Sequence, residues 1–148
     1  MIKTLIVVPM KNLSVSKTRL AGTLSNSARA RLVRLLYQKT LNFLIPIAAK
    51  EKVEIAVVTK CKYAKDIAKK LGVRVIHEPN NLGLSAAILH SAIAAKEMGF
   101  ERLCIIPADL AAPLKSDLTA MLKSDSAVTI CPSSDLSLIH ISEPTRPY

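Results

Sequence analysis

The stretch Ile2-Lys3-Thr4-Leu5-Ile6-Val7-Val8-Pro9-Met10-Lys11 decides the fold. Leu5 to Val8 are aliphatic without a polar interruption, the pattern of a strand buried on both faces, as in a parallel sheet covered by helices. The strand is expected to break at Pro9. Beyond it come Met10-Lys11 and then Ser16-Lys17-Thr18-Arg19-Leu20, so Lys11, Lys17 and Arg19 follow the carboxyl end of the first strand. Sheets of this kind take ligands at that end, and three cations there point to an anionic one.

The rest of the chain alternates helix and strand. Ser25-Asn26-Ser27 offers N-cap chemistry, and Leu32, Leu35, Leu36, Leu41 and Phe43 follow at near-helical spacing until Pro46, which should end or kink the helix. Val53 to Thr59 is a β-branched strand, Tyr63 to Leu71 a short helix with Gly72 as its C-cap, and Val73 to Ile76 a third strand. An Ala-rich helix opens at Gly83-Leu84-Ser85 and reaches Met98, with Gly99 as its stop. Leu103 to Ile106 forms an apolar strand ending in Pro107-Ala108-Asp109, Leu114 to Lys123 a helix, and Ala127 to Cys131 a strand. Strands separated by helices imply right-handed crossovers and a mostly parallel sheet. The expected fold is a three-layer α/β/α sandwich of Rossmann-like type.

At 148 residues, half of them hydrophobic, the chain suits one domain with a real core. Its formal charge of +10, from 21 Lys and Arg against 11 Asp and Glu, favours anionic partners. Aromatic residues are only 3% and Trp is absent, leaving few platforms on which single-stranded bases could stack. That argues against nucleic acid. Cys61, Cys104 and Cys131 are odd in number and show no Cys-x-x-Cys spacing, so neither zinc nor a disulfide framework is indicated and a reducing cytoplasm fits. The apolar amino-terminal stretch lacks a small-residue cleavage site, and no run approaches the roughly 18 residues of a membrane span.

Three segments could carry chemistry. Lys11, Lys17 and Arg19 are either a solvated basic loop or a phosphate clamp, in which Arg grips oxygens bidentately and Lys acts as a point charge. Neither a Gly-x-Gly-x-x-Gly nor a Gly-x-x-x-x-Gly-Lys-Ser/Thr pattern is present, so side chains would do most of the holding. Glu78-Pro79-Asn80-Asn81-Leu82-Gly83-Leu84-Ser85 is either an ordinary strand-to-helix turn capped by Ser85 or a loop that lets a ribose or phosphate approach the backbone. Asp109 either caps the next turn or ligates a divalent ion; Mg²⁺ prefers one or two carboxylates plus substrate phosphates. His77 and His90 lack spaced partners, Cys104 sits mid-strand, and Ser133-Ser134 has no evident general base. Direct transfer aided by metal suits this inventory better than covalent catalysis.

Val8-Pro9-Met10-Lys11, Ser16-Lys17-Thr18-Arg19-Leu20-Ala21, Leu24-Ser25 with its Arg-rich helix, Gly83-Leu84-Ser85-Ala86-Ala87, Pro107-Ala108-Asp109-Leu110 and Cys131-Pro132-Ser133-Ser134-Asp135 together resemble, in order, the 2-phospho-L-lactate (phosphoenolpyruvate) guanylyltransferase family. The resemblance implies a nucleotidyltransferase fold of the nucleotide-diphospho-sugar transferase type. It also implies transfer of GMP from GTP to 2-phospholactate or phosphoenolpyruvate with release of diphosphate, in coenzyme F(420) biosynthesis. Carried over, Pro9, Met10, Lys11, Lys17 and Arg19 lie along the GTP phosphates, with Lys11, Lys17 and Arg19 catalytic; Gly83, Leu84 and Ser85 lie near the nucleoside, and Asp109 holds Mg²⁺. A homodimer is compatible with the resemblance, and the location it implies is cytoplasmic.

Ser85 stands where the family has Asn, and Leu110-Ala111 where it has Leu-Pro. After Asp135 the family's Gly-Gly-Thr-Asn segment is missing, and Leu136 to Arg146 resembles a translated sequencing adapter. The expected organisation is therefore a partial nucleotidyltransferase domain over 1–135 and a non-native tail over 136–148, an incomplete and inactive fragment with an unpaired strand edge. Two alternatives stay open. One is another nucleotidyltransferase, of the molybdopterin guanylyltransferase or sugar-phosphate nucleotidylyltransferase type; the other is a non-catalytic nucleotide- or RNA-binding α/β module.

Overall fold

The computed structural model describes residues 3–10, 25–78, 83–110, 113–124, 128–131 and 138–142. Leu5 to Val8 are fully buried, as an uninterrupted aliphatic run requires, and form the middle of β1 (Thr4–Met10). The elements that follow are α1 (Asn26–Glu51), β2 (Glu54–Thr59), α2 (Lys62–Lys70), β3 (Arg74–His77), α3 (Leu84–Glu97), β4 (Arg102–Ile105), α4 (Lys115–Lys123), β5 (Val128–Cys131) and β6 (Leu138–Ser142). The sheet order is β3-β2-β1-β4-β6-β5. The β3-β2-β1-β4 portion is parallel throughout, and β6 runs antiparallel to both β4 and β5.

Side-chain alternation along the strands divides the core in two. Ile6, Val8, Met10, Ile55, Val57, Cys104 and Ile106 point toward α1, α2 and α4. Leu5, Val7, Ala56, Val58, Leu103 and Ile105 point to the opposite face, where Ala95 and the partly buried Ile88 and Ala92 of α3 meet them. From β1 the chain winds outward through β2 to β3 on one face. It then returns through α3 across the other face to β4. The direction of winding thus reverses between β1 and β4, and the expected three-layer sandwich is present.

Three expectations need correction. β1 does not break at Pro9 but continues to Met10, with Pro9 opposite Val58. The Val7 carbonyl accepts from Ile106 N (2.9 Å), so Val7 and, two residues on, Pro9 face the β4 side; pairing with β4 ends at Val7–Ile105, and the missing proline donor deprives no ladder bond. Of the two outcomes expected at Pro46, an end or a kink, the end does not occur: α1 runs through Pro46 to Glu51. Pro46 and Asn42, whose carbonyl loses its helical donor, are both exposed, while Ile47 and Ala48 hold the last turn in the core. The buried stripe of α1 is Val33, Tyr37, Thr40, Leu41, Leu44, Ile47 and Ala48, and Leu35 is 64% exposed. Finally, no element was expected within 136–148, yet Leu138–Ser142 forms β6 and occupies the edge of β4.

Helices α1, α2 and α3 end in a common way, whereas α4 ends at Ser124 in extended conformation. Gly72 (φ 76°) and Gly99 (φ 89°) follow α2 and α3 in left-handed conformation. Val73 N donates to Ala68 O (2.8 Å) and Gly72 N to Lys69 O (3.1 Å); Phe100 N donates to Ala95 O (2.9 Å) and Gly99 N to Lys96 O (3.0 Å). These paired bonds satisfy carbonyls that the helix leaves open and turn the chain directly into the next strand. After α1 the same turn falls on Lys52 (φ 57°), with Val53 N donating to Ala48 O (3.0 Å).

Candidate functional site

The carboxyl ends of β1 and β4 lie side by side at the reversal of winding, the place where an open α/β sheet forms a ligand crevice. Each end is held by a buried threonine. Thr59, at the end of β2, donates its Oγ1 proton to the Met10 carbonyl (2.7 Å), and the same oxygen accepts from Cys61 N (3.0 Å). Thr40, fully buried on α1, accepts at Oγ1 from Leu110 N (3.1 Å). Leu110 adjoins Asp109, so the turn after β4 is fastened to α1.

Asp109 stands in this turn, partly exposed, between Ala108, which is buried in the core on the α1 side, and the fastened Leu110. Pro9 is half-buried; Met10 is 4% exposed, its side chain in the core and its carbonyl already engaged by Thr59. Lys11 is the next residue in the chain; Lys11, Lys17 and Arg19 lie outside the described residues.

Gly83 is the N-cap of α3, with φ 92° and ψ 176°, a region open essentially to glycine alone. Among the described residues no neighbour lies within 4 Å of a Cβ placed there, and the backbone conformation by itself demands the glycine. Leu84 is 52% exposed and Ser85 is exposed in the first turn. Ser85 is not the cap, and Gly83, which is, has no side chain with which to close the turn. Because α3 starts after β3 and packs on β1 and β4, its first turn opens at the same edge of the sheet as Asp109.

Other groups at this edge have structural partners. The Lys65 ammonium meets His77 Nδ1 at 2.6 Å, and His90 Nε2 donates to the His77 carbonyl at 3.0 Å, tying α2 and α3 to the end of β3. Tyr37 OH donates to Ala64 O (2.7 Å) and Arg34 lies 4.9 Å from the Tyr63 ring centre, joining α1 to α2. Burial pushes the Cys104 thiol up to about 12, which keeps it protonated and inert as a nucleophile.

Among the described residues no three His, Cys, Asp or Glu side chains converge on one point, and no helix is long and apolar enough to cross a membrane. Asp109 supplies one hard oxygen donor. That fits an ion whose remaining positions are filled by phosphate and water oxygens.

Sequence reasoning passed over Thr40 and Thr59. Thr40 did leave a signal, a hydroxyl within the apolar stripe of an amphipathic helix, but its partner is 70 residues away.

Over residues 4–137 the chain matches the family described as "Guanylyl transferase CofC like". It belongs to that family. It is 35% identical over 109 residues to the 3-phospho-D-glycerate guanylyltransferase of Colwellia psychrerythraea, covering 74% of this chain and 50% of that one. To the phosphoenolpyruvate guanylyltransferase of Mycolicibacterium gilvum it is 33% identical over 115 residues, covering 75% and 52%. The chain spans about half the length of these relatives.

Among solved structures, a putative nucleotide-diphospho-sugar transferase from Desulfovibrio desulfuricans superposes with a TM-score of 0.71 at 16% identity, over 96% of this chain and 64% of that one. A CMP:2-keto-3-deoxy-manno-octonic acid synthetase solved with CTP gives 0.54 at 14% identity, over 82% and 46%. These likenesses bear out the α/β nucleotidyltransferase fold.

Proposed function

We propose that this chain carries the nucleotide half of a guanylyltransferase that joins GMP from GTP to a phosphorylated three-carbon acid and releases diphosphate. The observation that carries the reading is Asp109 on a fastened turn beside the carboxyl end of β1, within a guanylyl transferase family match. A phosphate oxygen of the acceptor attacks the α-phosphorus of GTP, and the bond from that phosphorus to the β-phosphate oxygen breaks. Lys11, Lys17 and Arg19 hold the phosphates and offset the charge that gathers on the leaving diphosphate. Gly83, Leu84 and Ser85 border the nucleoside. Asp109 holds Mg²⁺, which adds positive charge to the phosphates when bound.

The relatives' names favour 3-phospho-D-glycerate or phosphoenolpyruvate over 2-phospholactate as the acceptor. The role in coenzyme F(420) biosynthesis rests on the family resemblance, and the foreign origin of residues 136–148 on their likeness to a translated sequencing adapter. Gly-Gly-Thr-Asn after codon 135 of the uninterrupted gene supports that origin, and a genomic continuation matching residues 136 to 148 sinks it.

Two measurements test the reading. The purified chain should bind GTP more tightly than GMP, with an added gain from Mg²⁺ that Asp109→Asn removes. Equal affinity for GMP and GTP would refute a triphosphate site. The product of the uninterrupted gene should transfer label from α-labelled GTP to 3-phospho-D-glycerate or phosphoenolpyruvate; labelling of neither rules out the proposed reaction.

A further inference from the structure

We infer that Thr40 is a positioning residue for the metal-bearing turn, acting through Leu110 on Asp109; this rests on the reading of Asp109 as a metal ligand. Thr40 has 0% exposure, yet it is polar and lies in the apolar stripe of α1 between Tyr37, Leu41 and Leu44. A buried hydroxyl in such a stripe is unfavourable unless it is hydrogen-bonded. Its Oγ1 accepts from Leu110 N at 3.1 Å.

The bond joins residues 70 apart in sequence. It falls on the amide directly after Asp109, in a turn outside the strand ladder, which ends at Ile105. On the other side Ala108 is packed into the core, only 8% exposed. Asp109 is therefore set between two fixed points, one apolar and one hydrogen-bonded. A carboxylate that shares an ion with substrate phosphates must present its oxygens in one direction, and anchoring the backbone on both sides of it favours that direction. Groups that orient a ligand typically change metal affinity about 10- to 100-fold when removed.

The test is GTP affinity of the purified chain, measured with Mg²⁺ and with EDTA. Thr40→Val keeps the volume and removes the acceptor; it should reduce the Mg²⁺-dependent gain by at least about tenfold and leave affinity in EDTA unchanged. Thr40→Ser should restore the gain. Hydrogen exchange of the Leu110 amide should be slow in the wild-type chain and in Thr40→Ser, and fast in Thr40→Val.

Equal weakening in Mg²⁺ and in EDTA would reduce Thr40 to a general structural role and overturn the inference. So would a folded Thr40→Val chain that keeps the full gain. If Thr40→Val does not fold, the wild-type chain decides: Leu110 protection must rise when Mg²⁺ is added to the GTP complex, and unchanged protection overturns the inference. If Asp109→Asn retains the Mg²⁺ gain, the metal-ligand reading fails and the inference fails with it; loss in Asp109→Asn but not in Thr40→Val defeats the inference alone.

Discussion

Thr59 Oγ1 donates to the Met10 carbonyl at 2.7 Å, joining the last residues of two neighbouring parallel strands where the chain leaves β1 for the basic segment. The same oxygen accepts from Cys61 N, so one buried hydroxyl serves two backbone groups. Thr59→Val should lower unfolding free energy by about 1–3 kcal/mol, the usual cost of stranding buried polar groups, whereas Thr59→Ser should retain most of it. Urea denaturation measures both; equal stability of the Val variant would show that the bond contributes nothing net.

Lys52 ends α1 at φ 57°, where a side chain is strained and glycine is not. Lys52→Gly should stabilise the chain by about 1 kcal/mol. At Gly72 and Gly99 a Cβ would meet nothing within 4 Å among the described residues, so Ala there should cost about 1 kcal/mol through backbone strain. Opposite signs in thermal melts at position 52 and at 72 and 99 check the pair.

Pro46 lies on the exposed side of α1, where it denies Asn42 its helical donor. Pro46→Ala should raise stability, by up to about 3 kcal/mol if the whole interior-proline penalty is released. Helical circular dichroism and the melting midpoint should rise together; a fall in both would mean that Pro46 itself is needed for packing Ile47 and Ala48.

Cys104 is buried, and burial raises its thiol from 9.0 to about 12. The unfolded chain therefore loses this proton at lower pH than the folded one. The stability contribution is complete below pH 9 and declines between 9 and 12. Burial shifts the Tyr37 hydroxyl in the same direction, which steepens the alkaline loss. Melting midpoints across this range should fall less steeply in Cys104→Val than in the parent chain; identical slopes would remove Cys104 from the account. In a Cys131→Ser background at pH 8, thiol reagents should modify the partly exposed Cys61 well before Cys104.

The order of helices and strands was legible because each aliphatic strand is punctuated by Gly, Pro or a polar turn, and local punctuation reports local structure. Asp109 could be singled out because an acid shortly after Leu103-Cys104-Ile105-Ile106, with only Pro107-Ala108 between, stands just beyond the carboxyl end of a buried strand. What local signals could not give were outcomes set by neighbours in space. Pro9 read as a break and Pro46 as an end or a kink from the missing N–H alone, yet neither ends its element, because one faces the side where β4 pairing has ended and the other faces solvent. Leu35 looked like core until the Val33-Tyr37-Thr40-Leu41-Leu44 stripe fixed the rotation of α1.

The sequence by itself determined the α/β alternation, the excess of positive charge, the basic segment after the first strand and the lone acid after the fourth. Tertiary structure alone decided that β1 and β4 are neighbours, that Leu138–Ser142 takes the free edge of β4, and that Thr59 and Thr40 fasten the two loop ends. The physical reason is separation along the chain: strand alternation and helix ends depend on residues a few positions apart, whereas Thr40–Leu110, Thr59–Met10 and the β4–β6 pairing join segments that meet only when the sheet is assembled.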